Sequence, residues 1–173
     1  RPCKKIVKDM IEEIEETPTI KTGINRILTD KFYTNDKVAN DCISWFFNEF
    51  NESREDLFIE PSAGSGSFSD ILQNFNVELL CYDIDPKKDY IKKADFLKLD
   101  ISEIREYKKK IHIIGNPPFG RQSSLARKFI KKCSDFSDTI SFILPKSFRK
   151  ESFKCSFSLN FHLIKEYDIG KNA

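Results

Sequence analysis

Leu57-Phe58-Ile59-Glu60-Pro61-Ser62-Ala63-Gly64-Ser65-Gly66-Ser67-Phe68 is the stretch that decides the fold. Three apolar residues without polar alternation read as a strand buried on both faces, which belongs to a parallel sheet covered by helices. The strand stops at Glu60-Pro61, and the two glycines then let the backbone turn tightly and approach a ligand closely. A helix-like segment, 68–75, follows. The same pattern of apolar run and polar stop recurs downstream. Residues 77–82 end in Asp83-Ile84-Asp85-Pro86, a weaker extended stretch at 90–94 ends in Asp95-Phe96, and residues 111–114 end in Gly115-Asn116-Pro117-Pro118-Phe119. Residues 125–133 read as a helix, 139–144 as a fifth strand halted by Pro145, and 161–169 as a sixth. Such strands alternating with helices give an α/β, doubly wound, mostly parallel sheet. Ligands of these sheets bind beyond the carboxyl ends of the strands, where Glu60, Asp83, Asp95 and Asn116 stand here.

Upstream, Val7, Met10, Ile11 and Ile14 recur at helical spacing and predict an amphipathic helix that ends at Thr17-Pro18. Thr34 offers an N-cap oxygen to a second helix whose apolar side carries Val38, Cys42, Ile43, Phe46 and Phe47. The chain divides accordingly into an N-terminal helix and connector, 1–31, and one domain, 32–173. With 173 residues, 39% hydrophobic, 32% charged and 16 Phe, wholesale disorder is excluded. No stretch approaches the ~20 apolar residues of a membrane span, and no signal-peptide pattern opens the chain. Its first residue, Arg1, suggests a start inside a longer product. Five cysteines without a CxxC pair fit an intracellular, reducing compartment, cytoplasmic or nuclear. A net charge of +2 neither announces nor excludes a nucleic-acid partner.

The glycine loop is not a dinucleotide fingerprint, because the third-glycine position counted from Gly64 is Ser69. The acid ahead of the glycines would repel a pyrophosphate, whereas it suits a cationic ligand such as a sulfonium or an ammonium. Asp83 stands at the offset where an acid accepts hydrogen bonds from ribose hydroxyls, so a nucleoside ligand is favoured. In Asn116-Pro117-Pro118-Phe119 two prolines fix φ twice and remove two donors, making a rigid turn. It presents an amide oxygen, a proline carbonyl and an aromatic face, the triangle needed by an exocyclic amine on a planar ring. Alternatively, Phe119 simply plugs the core. His112 and His162 show no metal-ligand spacing, and His112 reads as a satisfied core histidine.

The residues of the glycine loop 60–68, of Tyr82-Asp83-Ile84-Asp85-Pro86, of Ala94-Asp95-Phe96-Leu97 and of Asn116-Pro117-Pro118-Phe119 stand in one order. In that order the sequence resembles the S-adenosylmethionine-dependent amino-methyltransferases of the NPPF type, particularly those that methylate the N6 amino group of adenine in nucleic acid. The resemblance covers residues 32–144. It implies a Rossmann-like, class I methyltransferase fold with S-adenosylmethionine as cofactor. Glu60 and the backbone around Ser62, Gly64 and Gly66 would hold its methionine part, and Thr34 would approach the methionine carboxylate. Asp83 would take the ribose hydroxyls, Ile84 would pack on the adenine, and Asp95 would accept its N6 proton. Phe96 would donate a backbone N–H or pack beside that ring. The segment Phe32-Tyr33-Thr34 would close over the methionine end. Asn116 and Pro117 would accept the two N–H groups of the target amine, and Phe119, presented by Pro118, would stack on the target base; no metal is required.

Three departures qualify the resemblance. The connection after Pro86 is too short for the usual crossover helix. The family's antiparallel seventh strand would lie beyond Ala173, so the domain is expected to lack its last strand. No separate target-recognition domain is visible, so an unpaired or flipped adenine, a partner protein or a missing C-terminal portion is expected. Lys128, Lys131, Lys132, Lys146, Arg149 and Lys150 either follow a phosphate backbone or form a solvated surface. The alternatives are a protein glutamine-amide methyltransferase, which usually carries Tyr in place of Phe119, and a catalytically inactive scaffold of the same fold.

Overall fold

The computed structural model describes residues 4–7, 34–50, 55–106 and 108–169. Among these residues, seven strands make one sheet: β1 (Lys4–Val7), β2 (Leu57–Glu60), β3 (Glu78–Asp83), β4 (Lys92–Lys93), β5 (Ile111–Gly115), β6 (Thr139–Phe142) and β7 (Phe161–Leu163). Their order is β4-β3-β2-β5-β6-β1-β7, and every pairing is parallel. The helices are α1 (Asp36–Glu49), α2 (Ser67–Gln73), α3 (Ser102–Arg105), α4 (Ser124–Ser134) and α5 (Glu151–Lys154).

Alternation along the central strands fills two cores. Leu57, Ile59, Ile111, Ile113, Ile140 and Phe142 pack with Ala126, Phe129, Ile130 and Cys133 of α4. Phe58, Ile114 and Ile143 pack on the opposite face, against Ala39, Cys42, Ile43, Phe46 and Phe47 of α1 and Phe68 and Leu72 of α2. Both faces of the sheet are therefore covered, which is why β2 and β5 contain no exposed residue. The doubly wound α/β fold is the observed one. Among the described residues, no helix is long and apolar enough to cross a membrane.

His112 is a satisfied core histidine. Nδ1 lies 2.8 Å from Thr139 Oγ1 and Nε2 3.1 Å from Asp56 Oδ2, while the ring sits among Phe46, Phe50 and Phe58. The connection from β3 to β4 holds no helix, as its length requires.

Three assignments differ from the sequence reading. Lys4–Val7 is a strand between β6 and β7 rather than the start of a helix. Its β-branched Ile6-Val7 suits a pleated backbone, and pairing on two sides outweighs the local periodicity. The rest of the expected helix, with Met10, Ile11 and Ile14, lies outside the described residues, as do Phe32 and Tyr33. β1 thus lies between β6 and β7 and runs parallel to both. Asn35, not Thr34, caps α1: its side chain accepts from the Lys37 N–H at 2.8 Å. The last strand stops at Leu163. Beyond it Tyr167 stacks on Trp45 of α1 with centroids 4.1 Å apart, and Lys165 pairs with Glu49. These contacts hold the segment on α1 instead of in the sheet.

Burial holds the His112 imidazole below its ordinary 6.5, against the opposing pull of Asp56. The unfolded chain therefore takes the proton more readily. The residue's contribution to stability is complete above about pH 6.5 and is lost as the pH falls below it. Urea unfolding at pH 7.5 and 5.5 is expected to show a loss of stability at the lower pH. His112→Asn should make that loss smaller, and an undiminished loss in the variant would assign it to other groups.

Candidate functional site

The chain runs outward from β2 through β3 to β4, then returns to the other side of β2 as β5. The crevice between the carboxyl ends of β2 and β5 is the place where strand order reverses, the usual ligand position in such sheets. Along this edge stand Asp95, just beyond β4, Asp83 at the end of β3, Glu60 at the end of β2, and Asn116 just beyond β5. Neighbouring strands lie about 4.8 Å apart, so the four positions cover on the order of 14 Å. An extended nucleoside with an amino-acid tail has comparable length.

A small open cavity of about 30 Å³ lies at the crevice, lined by Thr34, Glu60, Ser62, Gly64, Ser67, Asn116 and their neighbours. Glu60 is only 2% exposed, and its Oε2 has no hydrogen-bond partner. Burial raises its carboxyl to about 8; bonds from the Ser69 side chain and backbone oppose the rise, and Asp83 and Asp70 add to it. Across the β2–β3 pair stands Cys81, whose thiol burial and Glu60 push up to about 12. The named neighbours of Glu60 are thus acidic or neutral. A buried carboxyl in such surroundings is neutral unless a cation or a strong donor reaches it. An ammonium or sulfonium ligand would supply the cation that the named neighbours of Glu60 lack.

Beside the cavity, Asp83 joins the two loops. Its Oδ2 accepts from Gly64 N and its Oδ1 from Asp85 N, both at 2.8 Å. A carboxylate offers about four lone-pair positions, so acceptor capacity remains for a vicinal diol. Ile84 follows with 62% of its surface exposed. Asp95 caps a 3-10 turn, accepting from Leu97 N at 3.1 Å, and Lys98 lies 3.2 Å from its other oxygen. The Phe96 ring is in the core against Tyr82, Phe129 and Phe136. Packing of this ring beside a ligand is thereby ruled out, and only its backbone faces the edge role. Three aromatic neighbours decide this, since the ring buries its area against them.

Asn116 is held from two sides. Its Nδ2 donates to Thr34 Oγ1 at 3.2 Å, and its backbone oxygen accepts from Ser62 Oγ at 3.4 Å. Releasing Thr34 from capping duty is what makes the first bond available. The amide is thereby oriented with Oδ1 turned away from Thr34. Pro117 is buried, and Pro118 and Phe119 are half-buried. Phe119 packs partly on the α4-side core, so the plug reading holds for part of its surface. Its carbonyl accepts from Leu125 N and Ala126 N at 3.1 and 3.3 Å, which fastens the turn to α4. Gly120 has φ +67, and a Cβ there would lie 2.7 Å from Leu125 Cβ; Gln122 and Ser123 also have positive φ. Gln122 and Ser123, two non-glycine residues in the left-handed region, are local strain of the kind that collects at functional loops.

Of the residues singled out in the sequence, Thr34, Glu60, Ser62, Gly64 and Asn116 line the cavity together. Asp83, Ile84 and Asp95 lie farther along the same edge, and Pro117, Pro118 and Phe119 follow Asn116. Gly66 needs a different explanation from close ligand approach. At φ +91, a Cβ there would lie 2.5 Å from Tyr90 Oη and 3.2 Å from Lys88 Cδ, so the protein itself fills that space. Ser65, Ser67 and Phe68 also line the cavity. They were quoted with the loop but given no task, although alternating serines beside a glycine turn are a signal for one. Ser67 Oγ donates to the Thr34 carbonyl at 2.9 Å. Among the downstream cations, Lys132 bonds to the Leu99 carbonyl at 2.5 Å, Arg149 pairs with Glu166, and Lys146 lies 3.7 Å from Asp168. These three are tied within the fold, whereas Lys128, Lys131 and Lys150 are exposed.

No protein-family model matches the chain, and no curated protein matches it.

A neutral buried Glu60 carries a stability signature. Its folded value of about 8 is above its unfolded 4.5, so its contribution is complete below 4.5 and lost as the pH rises through 8. Ligand-free protein is expected to weaken across that window by more than Glu60→Gln does, measured by denaturant midpoints at pH 5 and 8.5. Identical pH dependence of the two proteins would show that Glu60 is ionised in the fold.

Proposed function

We propose that the chain is an S-adenosylmethionine-dependent N-methyltransferase acting on the N6 amino group of adenine in RNA or DNA. The observation that carries this reading is the row Asp95, Asp83, Glu60 and Asn116 on four adjacent strand ends. Its acids suit, in order, an adenine amino group, a ribose diol and an amino-acid ammonium, and its amide stands next to the tail. The unpartnered Glu60 Oε2 supports the cationic tail independently of the resemblance.

The bound cofactor supplies an electrophilic sulfonium methyl group. Glu60 and the Gly64 loop hold its amino-acid end, Asp83 its ribose, and Asp95 with exposed Ile84 its base. An aromatic exocyclic amine is a poor nucleophile, because its lone pair is delocalised into the ring. Asn116 Oδ1 and the Pro117 carbonyl accept its two N–H groups, which favours a pyramidal nitrogen with a localised lone pair. The double proline keeps these acceptors in place without reorganisation, so the protein contributes mainly orientation. The exposed part of Phe119 stacks on a target base that is unpaired or flipped out. Lys128, Lys131 and Lys150 follow its phosphates.

Calorimetry should give micromolar-scale binding of S-adenosylmethionine or its demethylated product, weakened by about 1.5–3 kcal/mol in Asp83→Ala, the worth of charge-assisted bonds. No binding, or equal binding of a nicotinamide dinucleotide, would reject the reading. Mass spectrometry of nucleosides from RNA and DNA incubated with the protein and labelled cofactor should show N6-methyladenosine or its deoxy counterpart. Asn116→Ala is expected to abolish this product with cofactor affinity nearly unchanged. A parallel loss of affinity would make Asn116 a structural residue of the turn. Single-stranded oligonucleotides should react faster than matched duplexes, and Phe119→Tyr should be tolerated where Phe119→Ala is not, since stacking on one base is worth about 1–3 kcal/mol.

A further inference from the structure

The helix-free connection between β3 and β4 is fastened by its own side chains. Tyr90 Oη donates to Asp70 Oδ1 of α2 at 2.5 Å and lies 3.1 Å from Ser69 Oγ. Lys88 pairs with the other oxygen of Asp70, and Lys87 N donates to the Gly64 carbonyl at 3.3 Å. Burial pushes the Asp70 carboxyl up, but the bonds from Lys88 and Tyr90 outweigh it and hold it below its ordinary value. The Tyr90 hydroxyl and the Lys88 stem occupy the space that the missing Cβ of Gly66 leaves. Ser69, whose hydroxyl faces Tyr90, is also the residue that bonds to Glu60. The contacts thus join the wall that carries Glu60 to the loop that carries Ile84 and begins at Asp83.

From this arrangement we infer that Tyr90, acting through Asp70 and Ser69, is a positioning residue that sets the spacing between the Glu60 wall and the Asp83–Ile84 wall. The inference rests on the cofactor reading given above. A ligand that touches both walls gains from a fixed spacing, because the spacing need not be ordered on binding. A ligand that touches only the Asp83 wall gains nothing from it. The latch takes the place of a crossover helix, and it explains why a glycine stands at position 66 even though no ligand approaches its Cβ side.

The test uses two ligands that differ by the amino-acid tail. S-adenosylhomocysteine spans both walls, whereas 5′-methylthioadenosine carries the same nucleoside without the ammonium and carboxylate. Tyr90→Phe, which keeps the ring, and Asp70→Asn, which keeps the shape, should each weaken S-adenosylhomocysteine about fivefold, the scale of one partly exposed charge-assisted bond. Methylthioadenosine should change by less than about twofold in either variant, and the double variant should be no weaker than Asp70→Asn alone, as expected for residues acting through one contact. The ligand-free melting temperatures report whether the fold itself has changed. Unchanged affinity for S-adenosylhomocysteine, or equal losses for the two ligands, would overturn the positioning role while leaving the cofactor reading intact. Failure of the unaltered protein to bind either ligand would overturn the cofactor reading and this inference with it.

Discussion

Glu60 reaches the sheet edge on a strand with no exposed residue, and this burial is the constraint on which the site depends. Water cannot solvate the carboxyl, and its named neighbours are Ser69, Cys81, Asp70 and Asp83, none of them a cation. A fold selected for stability alone would place an apolar residue there, since a buried polar group with an unpaired oxygen costs stability. Local rules broken without an internal partner point outward, to something the protein binds. The neighbouring elements are arranged around that need. Ser69 supplies the bonds available, Gly115 runs close to the Glu60 stem, and the loop after β5 brings Asn116 to the same cavity.

The central sheet was legible because its strands are short, mostly apolar and separated by polar stops. That signal depends only on burial, and it located the ends of β2, β3 and β5 to within a residue. Periodicity served α1 and α4 equally well, since each packs one apolar stripe on the sheet. It failed at Lys4–Val7, where spacing that fits a helix is overruled by pairing with two distant strands, 139–141 and 161–163. Non-local pairing leaves no trace in a short window of sequence. The short β7 has a similar cause: Tyr167 stacks on Trp45 of α1, a contact distant in sequence that keeps residues 164–169 off the sheet.

Within the site, residue types were easier to assign than partners. Acids at strand ends follow from the topology of any doubly wound sheet. The reassignment of Thr34 did not follow, because Thr34 and Asn35 are both good capping residues and only the three-dimensional position of Asn116 chooses between them. Gly66 makes the tight turn its type suggests, at φ +91, but the space on its open side is taken by Tyr90, 24 residues later in the chain. Basic side chains were the least legible class. Lys132 covers the Phe96 ring with its ammonium 5.4 Å from the centroid, a role that a charge count cannot separate from a phosphate contact.

The stacking of Trp45 on Tyr167 has an optical consequence. Trp45 is the chain's single tryptophan, and it lies on α1, the helix that begins beside Thr34 of the cavity. Its intrinsic emission therefore comes from one known place, with a parallel phenol ring 4.1 Å away and the Lys165 ammonium near that ring. Lifting of residues 164–169 from α1 would change the polarity and quenching around this one fluorophore. The protein thus carries a built-in, label-free reporter of whether residues 164–169 are docked on α1, readable on the sequence as it stands.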